Sequence, residues 1–306
     1  MATICRWVGL VVFVLMAGCA TWRPAVVPMR LLIESARCEV PVSNLLVMLP
    51  GSYSLPEEFR SEGFVRIARA HDLAADLQLV DAHVRYYQNR NVVERLAEDV
   101  IRPARAQGYR QIWLVGISIG AVGAMLYADA HPEDVDGVVL IAPYLGTQLT
   151  ANEIKRAGGL ARWPSPEVTS GDIDTILWHW LKGQTPAEST VKKLPLFLGY
   201  GEQDRFRYND EVLRAALPAS QVFTAPGGHD WPAWRMVWER IASVLPVPID
   251  PNCTALEQPR GELPIQVAPD TPRGIDREAG ANVDHQPSLP GSPLNGPVNS
   301  GVIQPP

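Results

Sequence analysis

Apolar and polar positions repeat with two different periods between residues 29 and 245. Near-continuous apolar runs, such as 44–49 and 137–142, are typical of strands buried on both faces of a parallel sheet. Apolar positions with helical spacing occur between such runs, for example over 56–73 and 231–244. This alternation predicts an α/β domain with a mainly parallel sheet and helices on both of its faces.

The alternation pauses over residues 145–193, which contain short helical patterns and no strand pattern. We interpret this stretch as a helical insertion between two strands. Its three tryptophans, Trp163, Trp178 and Trp180, either line an apolar pocket or pack the insertion onto the domain. Trp234 and Trp238 lie four residues apart on the last predicted helix, and this spacing predicts that both belong to the core.

The first twenty residues have the pattern of a secretory signal, with a charged start and an apolar run too short to span a bilayer. The run ends in Met16-Ala17-Gly18-Cys19, which resembles the lipobox of bacterial lipoproteins. The resemblance implies a signal peptide over 1–18, lipidation of Cys19, a tether over 19–28 and attachment to a membrane of the bacterial cell envelope. An ordinary signal peptide with a nearby cleavage site is the alternative.

The last part of the chain, residues 246–306, holds thirteen of the 28 prolines and shows no apolar period. This composition predicts a disordered tail. Export would leave Cys38 and Cys253 on either side of the domain, where they either pair in a disulfide or stay as thiols.

The net charge of −6 gives no basic surface for nucleic acid, so we expect no nucleic-acid partner. The sequence also contains no phosphate-binding loop motif and no C-x-x-C or H-E-x-x-H pattern. Neither a nucleotide site nor a structural zinc site is therefore predicted, and we expect no metal.

A strand-like run over 111–115 leads into Gly116-Ile117-Ser118-Ile119-Gly120, and a helix-forming run over 121–128 follows. A G-x-S-x-G pattern between a strand and a helix places the serine on a sharp turn. The glycines lack a Cβ, which allows the strand and the helix to approach closely. The alternative is a buried strand–helix junction whose serine is incidental.

A serine hydroxyl needs a base to become a nucleophile, and the base needs an orienting acid. His229 follows the last short strand, at the sheet edge where α/β proteins bind ligands, and Asp204 follows the strand over 194–200. Glu202 is the second choice for the acid. The alternatives are a loop histidine that caps the last helix and two solvated turn carboxylates.

The order Ser118, Asp204, His229, with the motifs around each residue, resembles the α/β-hydrolases over residues 44–245. The resemblance implies an α/β-hydrolase fold with a small helical cap at about 145–193. It also implies an oxyanion hole formed by the backbone N–H of Ile119 and by that of Ser52 or Tyr53. Many members carry His-Gly where this chain has Pro50-Gly51.

The function that the resemblance implies is a carboxylesterase-type serine hydrolase that cleaves carboxylic esters or thioesters through an acyl-enzyme. Its partner would be a small-molecule or lipid ester, and no cofactor or metal would be needed. Two alternatives stay open: a non-catalytic binding or scaffold lipoprotein on the same fold, and a serine peptidase or acyltransferase that uses the same triad.

Overall fold

A seven-stranded sheet forms the centre of the protein, in a computed structural model that describes residues 23–38, 41–168, 171–185 and 193–253. The strands lie in the order β1-β3-β2-β4-β5-β6-β7, and every neighbouring pair is parallel except the antiparallel pair of β1 and β3. The strands are β1 (Leu31–Glu34), β2 (Asn44–Leu49), β3 (Asp76–Val80), β4 (Gln111–Ile117), β5 (Gly137–Ile141), β6 (Leu196–Gly201) and β7 (Val222–Ala225).

Helices follow the strands and cover the sheet. They are α1 (Pro56–Ser61), α2 (Phe64–Ala70), α3 (Val84–Gln88), α4 (Val92–Leu96), α5 (Arg102–Ala106), α6 (Ile119–Ala130), α7 (Gln148–Arg156), α8 (Ile173–Gln184), α9 (Arg207–Arg214) and α10 (Trp231–Ala242). A π-helical segment, Ala97–Ile101, joins α4 to α5, and short 3₁₀ turns lie at Pro132–Asp134, Leu160–Arg162 and Ala219–Gln221.

The core has two layers, one on each face of the sheet. In β2, Leu45 and Val47 contribute to one layer while Leu46 and Met48 contribute to the other. This is the period of two expected of a strand buried on both faces. Residues of α4 to α8 pack into the first layer, and residues of α1, α2 and α10 pack into the second. The predicted α/β-hydrolase fold is confirmed.

Two predicted helices differ in detail. The single helix expected over 56–73 is divided in two, because Gly63 adopts φ +85°, which a helix cannot continue. Helical spacing over 92–107 predicts a second helix, with a break at Pro103. The break does not occur, because the backbone stays helical from α4 through the π-helical segment to α5, and the Arg102 amide just before the proline donates to the carbonyl of Ala97 with π-helical spacing.

The insertion contains α7, α8 and the 3₁₀ turn at Leu160–Arg162, and its described residues form no strand. Its tryptophans Trp163, Trp178 and Trp180 are buried in the first core layer. Packing of the insertion onto the domain is therefore the interpretation that the structure supports. The insertion's residues 169–170 and 186–192 lie outside the described residues.

Both predicted domain ends need correction. Residues 23–28, expected as part of a tether, pack on the domain, where Arg23 forms a salt bridge with Asp81. Residues 246–253, expected in the tail, pack as well, because the carbonyl of Pro248 accepts a hydrogen bond from the Ala74 amide at 2.8 Å. Cys19, the signal peptide and the rest of the tail lie outside the described residues. No helix in the described ranges has the length and hydropathy of a membrane span.

A disulfide joins Cys38, which follows β1, to Cys253 at the end of the described chain. The bridge closes a loop of 215 residues and so ties the two ends of the domain together. A long loop of this kind reduces the entropy of the unfolded chain, which stabilises the folded state.

Candidate active site

The turn between β4 and α6 holds Ser118 in a strained backbone conformation. Its φ of 55° and ψ of −114° lie outside the regions that residues with a side chain favour. The Ser118 amide donates to the carbonyl of Ile141 at 2.9 Å, and its carbonyl accepts from the Tyr144 amide at 3.2 Å. The end of β5 and the loop after it thus hold the turn in place.

The two glycines of the motif are needed because the backbone comes too close for a Cβ. A Cβ on Gly116 would lie 2.4 Å from the carbonyl oxygen of Gly120, and one on Gly120 would lie 2.2 Å from that of Leu49. Both contacts are with backbone, which cannot move aside as a flexible side chain would. The start of α6 therefore packs directly on the end of β2.

We expect Gly120→Ala to lower the free energy of unfolding by about 3 kcal/mol or more, since the added carbon overlaps the backbone of β2. Gly51→Ala is the matched control, because a Cβ there meets only ordinary contacts at 3.6 and 3.9 Å. Urea unfolding followed by tryptophan fluorescence measures both. Equal stability of the two variants would contradict the close approach.

His229 lies within hydrogen-bond distance of the serine, although 111 residues separate them in the chain. Its Nε2 is 2.9 Å from the Ser118 Oγ. The imidazole is mostly buried and lies edge-to-face with the ring of Phe206, at 4.9 Å, and with that of Trp234, at 5.1 Å. These two rings restrict the orientation of the imidazole.

Asp204 completes the arrangement from the turn after β6. Its Oδ2 is 2.8 Å from the His229 Nδ1, and its Oδ1 accepts a hydrogen bond from the Phe206 amide at 2.8 Å. Both oxygens of this fully buried carboxylate therefore have a partner. Glu202 is exposed and accepts a hydrogen bond from the Thr224 hydroxyl instead. The structure thus brings Ser118, His229 and Asp204 together and places Glu202 elsewhere.

Both segments expected to form the oxyanion hole lie next to the serine. The Ile119 amide is the first in α6, where N–H groups have no intrahelical partner. On the other side, a Cβ on Gly51 would be 3.9 Å from the Ser118 Cβ, so the loop with Ser52 and Tyr53 borders this serine. The positive end of the α6 dipole also points toward this space.

A second buried carboxyl group, that of Asp210 in α9, lies close enough to Asp204 to interact with its charge. It is fully buried, and neither of its oxygens has a hydrogen-bond partner among the described residues. Burial, together with the charges of Asp204 and Glu211, raises the pKa of Asp210 well above its usual value. No sequence motif marks this residue. The available signal is its position three residues before the buried Leu213, which places an acid on the apolar face of α9.

We expect Asp210→Asn to stabilise the protein at pH 8, by about 1 kcal/mol or more. With a raised pKa, the folded state binds more protons than the unfolded state between the usual pKa of 3.8 and the raised one. Stability therefore falls as the pH rises through that window, and the asparagine removes the loss. Glu153→Gln is the control, because Glu153 is an exposed acid in α7. Urea titrations at pH 4 and pH 8 test this, and a stabilisation that is equal at both pH values would contradict it.

Phe206 is another residue that the sequence analysis did not select. Its amide holds Asp204, and its ring contacts both His229 and Tyr144, the latter at 5.4 Å edge-to-face. An aromatic side chain two residues after the acid carries no specific signal in the sequence. Its role follows only from the way the turn after β6 meets the loop after β5.

The chain matches one family model, which is described as serine aminopeptidase, S33. The match covers residues 82–178, so it contains the Ser118 turn and ends before Asp204 and His229. None of the curated proteins compared with the chain matches it.

Several solved structures are similar to this one. The S-formylglutathione hydrolase of Staphylococcus aureus is 16% identical, with 67% of this chain and 81% of that chain covered and a TM-score of 0.45. The fluorophosphonate-binding serine hydrolase F of the same species is 16% identical, with 70% and 91% covered and a TM-score of 0.46. Est1E of Butyrivibrio proteoclasticus, solved with ferulic acid, is 14% identical, with 71% and 92% covered and a TM-score of 0.44.

Proposed function

We propose that the chain is a serine hydrolase that cleaves carboxylic esters or thioesters through an acyl-enzyme. The observation that carries the proposal is the continuous hydrogen-bonded path from Ser118 through His229 to Asp204. The three groups stand in the roles of nucleophile, base and orienting acid, and they come from three different loops at one edge of the sheet.

The geometry supports the following steps. His229 Nε2 accepts the Ser118 proton while the Oγ attacks the acyl carbonyl, and Asp204 stabilises the imidazolium that forms. The amide of Ile119, with that of Ser52 or Tyr53, stabilises the negative charge on the former carbonyl oxygen. His229 then returns the proton to the leaving alcohol or thiol. Water, activated by the same histidine, releases the acid from the acyl-enzyme.

Turnover of p-nitrophenyl butyrate by the purified protein tests this proposal. We expect steady release of p-nitrophenol with a pre-steady-state burst equal to the amount of enzyme when deacylation is slower than acylation. No turnover with any acyl chain from acetate to palmitate would contradict ester hydrolysis and favour a binding or scaffold role.

A peptidase activity is the second candidate, because the matching family model is described as a serine aminopeptidase. The same triad attacks amides, so the distinction depends on the substrate that the site accepts. Comparing leucine p-nitroanilide with leucine p-nitrophenyl ester separates the two functions. A kcat/KM for the anilide within about tenfold of that for the ester would favour the peptidase, since discrimination between acceptable substrates is the ratio of these constants.

We also propose that the protein is exported and anchored in the cell envelope through a lipid on Cys19. The small residues before Cys19 and the apolar run before them support this proposal. Cys19→Ala is expected to move the protein from the membrane fraction to the soluble fraction of lysed cells. Cys5→Ala is the matched control, since that residue lies in the segment to be removed. Equal membrane retention of both variants would contradict the anchor.

A further inference from the structure

The N-terminal segment, residues 23–29, contacts the loop after β2, residues 50–55, which we call the active-site loop. Four exposed apolar side chains lie on these two segments. They are Val26, Val27, Tyr53 and Leu55, which we call the entry rim. We propose that the entry rim rests on a phospholipid bilayer, so that Ser118 faces the membrane and takes its ester substrates from it. This inference rests on the proposed hydrolysis and on the proposed anchor at Cys19.

Arg23 fastens the N-terminal segment to the active-site loop. Its guanidinium donates to Asp81 Oδ1 at 2.6 Å and to the carbonyl of Ser54 at 2.9 Å. Asp81 is buried, which limits the screening of this ion pair by water. A planar guanidinium with two separate acceptors is held in a defined orientation.

The residues after Arg23 are held as well. The amide and the carbonyl of Val26 both bond to the Tyr86 hydroxyl, at 3.1 and 2.9 Å, and the Met29 amide donates to Asp99 Oδ2 at 2.8 Å. The segment from Arg23 to Met29 is therefore a fixed part of the surface, with Val26 and Val27 exposed on it.

The same loop connects the entry rim to the nucleophile. Tyr53 and Leu55 flank Ser54, whose amide donates to the carbonyl of Gly51 at 3.2 Å. Gly51 borders Ser118, as its Cβ position shows. Arg23, the entry rim and the serine thus lie on one side of the molecule, joined by the short loop from Gly51 to Leu55.

Covalent geometry then restricts how the anchored protein sits. Only four peptide units separate Cys19 from Arg23, and a fully extended chain of that length spans about 14 Å. A lipid on Cys19 would hold Arg23 within this distance of the bilayer. Because Arg23 is fixed to the active-site loop, the loop is brought to the membrane as well.

The chemistry of the entry rim suits the headgroup boundary of a bilayer. Tyr53 is 71% exposed and Val27 is 66% exposed, so both present apolar surface to the solvent. Tyrosine prefers the membrane interface, where its ring contacts apolar groups and its hydroxyl contacts water, and aliphatic side chains gain free energy by entering the boundary. The substrate class that fits this placement is an ester lipid or a long-chain ester dissolved in the membrane.

Fluorescence quenching by brominated lipids tests the placement. The full-length lipidated protein is reconstituted into vesicles of phosphatidylethanolamine and phosphatidylglycerol with brominated acyl chains. A fluorophore is attached at Val27→Cys or Leu55→Cys. The control is Val244→Cys, because Val244 is an exposed apolar residue just after α10. This helix starts beside His229 and runs back along the sheet, so Val244 lies at the edge of the sheet opposite to Ser118.

We expect quenching at residues 27 and 55 at least about twofold greater than at 244, as for side chains that enter the headgroup boundary by about 5–10 Å. Equal quenching at all three sites, with the protein floating with the vesicles, would overturn the inference and leave the anchor standing. Protein that does not float would overturn the anchor and the inference together. Turnover of p-nitrophenyl butyrate by the same samples reports on the proposed hydrolysis separately.

Releasing the N-terminal segment tests the role of Arg23. In the Leu55→Cys protein, Arg23→Ala is expected to reduce the quenching at least about twofold without reducing flotation, since the anchor would no longer be fixed to the loop. Arg110→Ala is the control, because that exposed arginine precedes β4 at the opposite edge of the sheet. Unchanged quenching in the Arg23 variant would overturn the proposed fixation.

Discussion

Replacing Ser118 by alanine is expected to lower kcat for p-nitrophenyl butyrate by about 10⁴-fold or more, because no other group can form the acyl-enzyme. The substrate Kd should change little, since the hydroxyl takes part in the reaction but forms only a small part of the surface that binds the substrate. Steady-state kinetics of both proteins at the same protein concentration measure the loss, and the burst gives the active-site concentration of the unchanged protein.

Ser165→Ala is the matched control for this variant. Ser165 also has its hydroxyl beside an imidazole, with Oγ 2.9 Å from the His179 Nδ1, but Ser165 is only half-buried and His179 is exposed. We expect its kcat to stay within about twofold of the unchanged protein, as for surface substitutions away from the site. A large loss in the Ser165 variant with activity retained in the Ser118 variant would reverse the assignment of the nucleophile.

Asp204→Asn is expected to lower kcat by about 10⁴-fold, close to the effect of losing the serine. Its amide nitrogen can donate to His229 Nδ1, which favours the tautomer that carries the proton on Nε2. That nitrogen then cannot accept the Ser118 proton. The shape of the side chain is unchanged, so the folded structure should be retained, and circular dichroism checks this.

Glu202→Gln provides the comparison, since it makes the same chemical change two residues away. Glu202 is exposed and does not contact His229. We expect kcat to stay within about threefold. An equal loss in the two variants would mean that the acid had been assigned to the wrong carboxylate.

The fold and the three central residues were predictable from the sequence because each carries a local signal. The apolar runs mark the buried strands, and the glycines of the Ser118 turn mark a close approach that the structure shows to be a backbone contact. Asp204 and His229 follow strands whose carboxyl ends meet at one edge of a parallel sheet. Chain order and sheet topology together bring His229 within hydrogen-bond distance of both Ser118 and Asp204.

Other features depend on contacts between distant parts of the chain, which no local pattern reports. Arg23 and Asp81 lie 58 residues apart, and the packing of residues 23–28 follows from their meeting. The buried acid Asp210 has an unfavourable charge for its position, so helical spacing alone did not identify it. The composition of residues 246–253 gives no sign that they are fixed to the domain, but the backbone bonds around Pro248 and the Cys38–Cys253 disulfide hold them there.

The most direct measurement of the central claim is labelling of the purified protein with a fluorophosphonate, followed by peptide mapping. An activated serine attacks the phosphorus and keeps the label, whereas ordinary serine hydroxyls do not react. We expect one labelled peptide, with the phosphonate on Ser118 and the label lost in Asp204→Asn. Label on a different serine, or no label on folded protein, would contradict it.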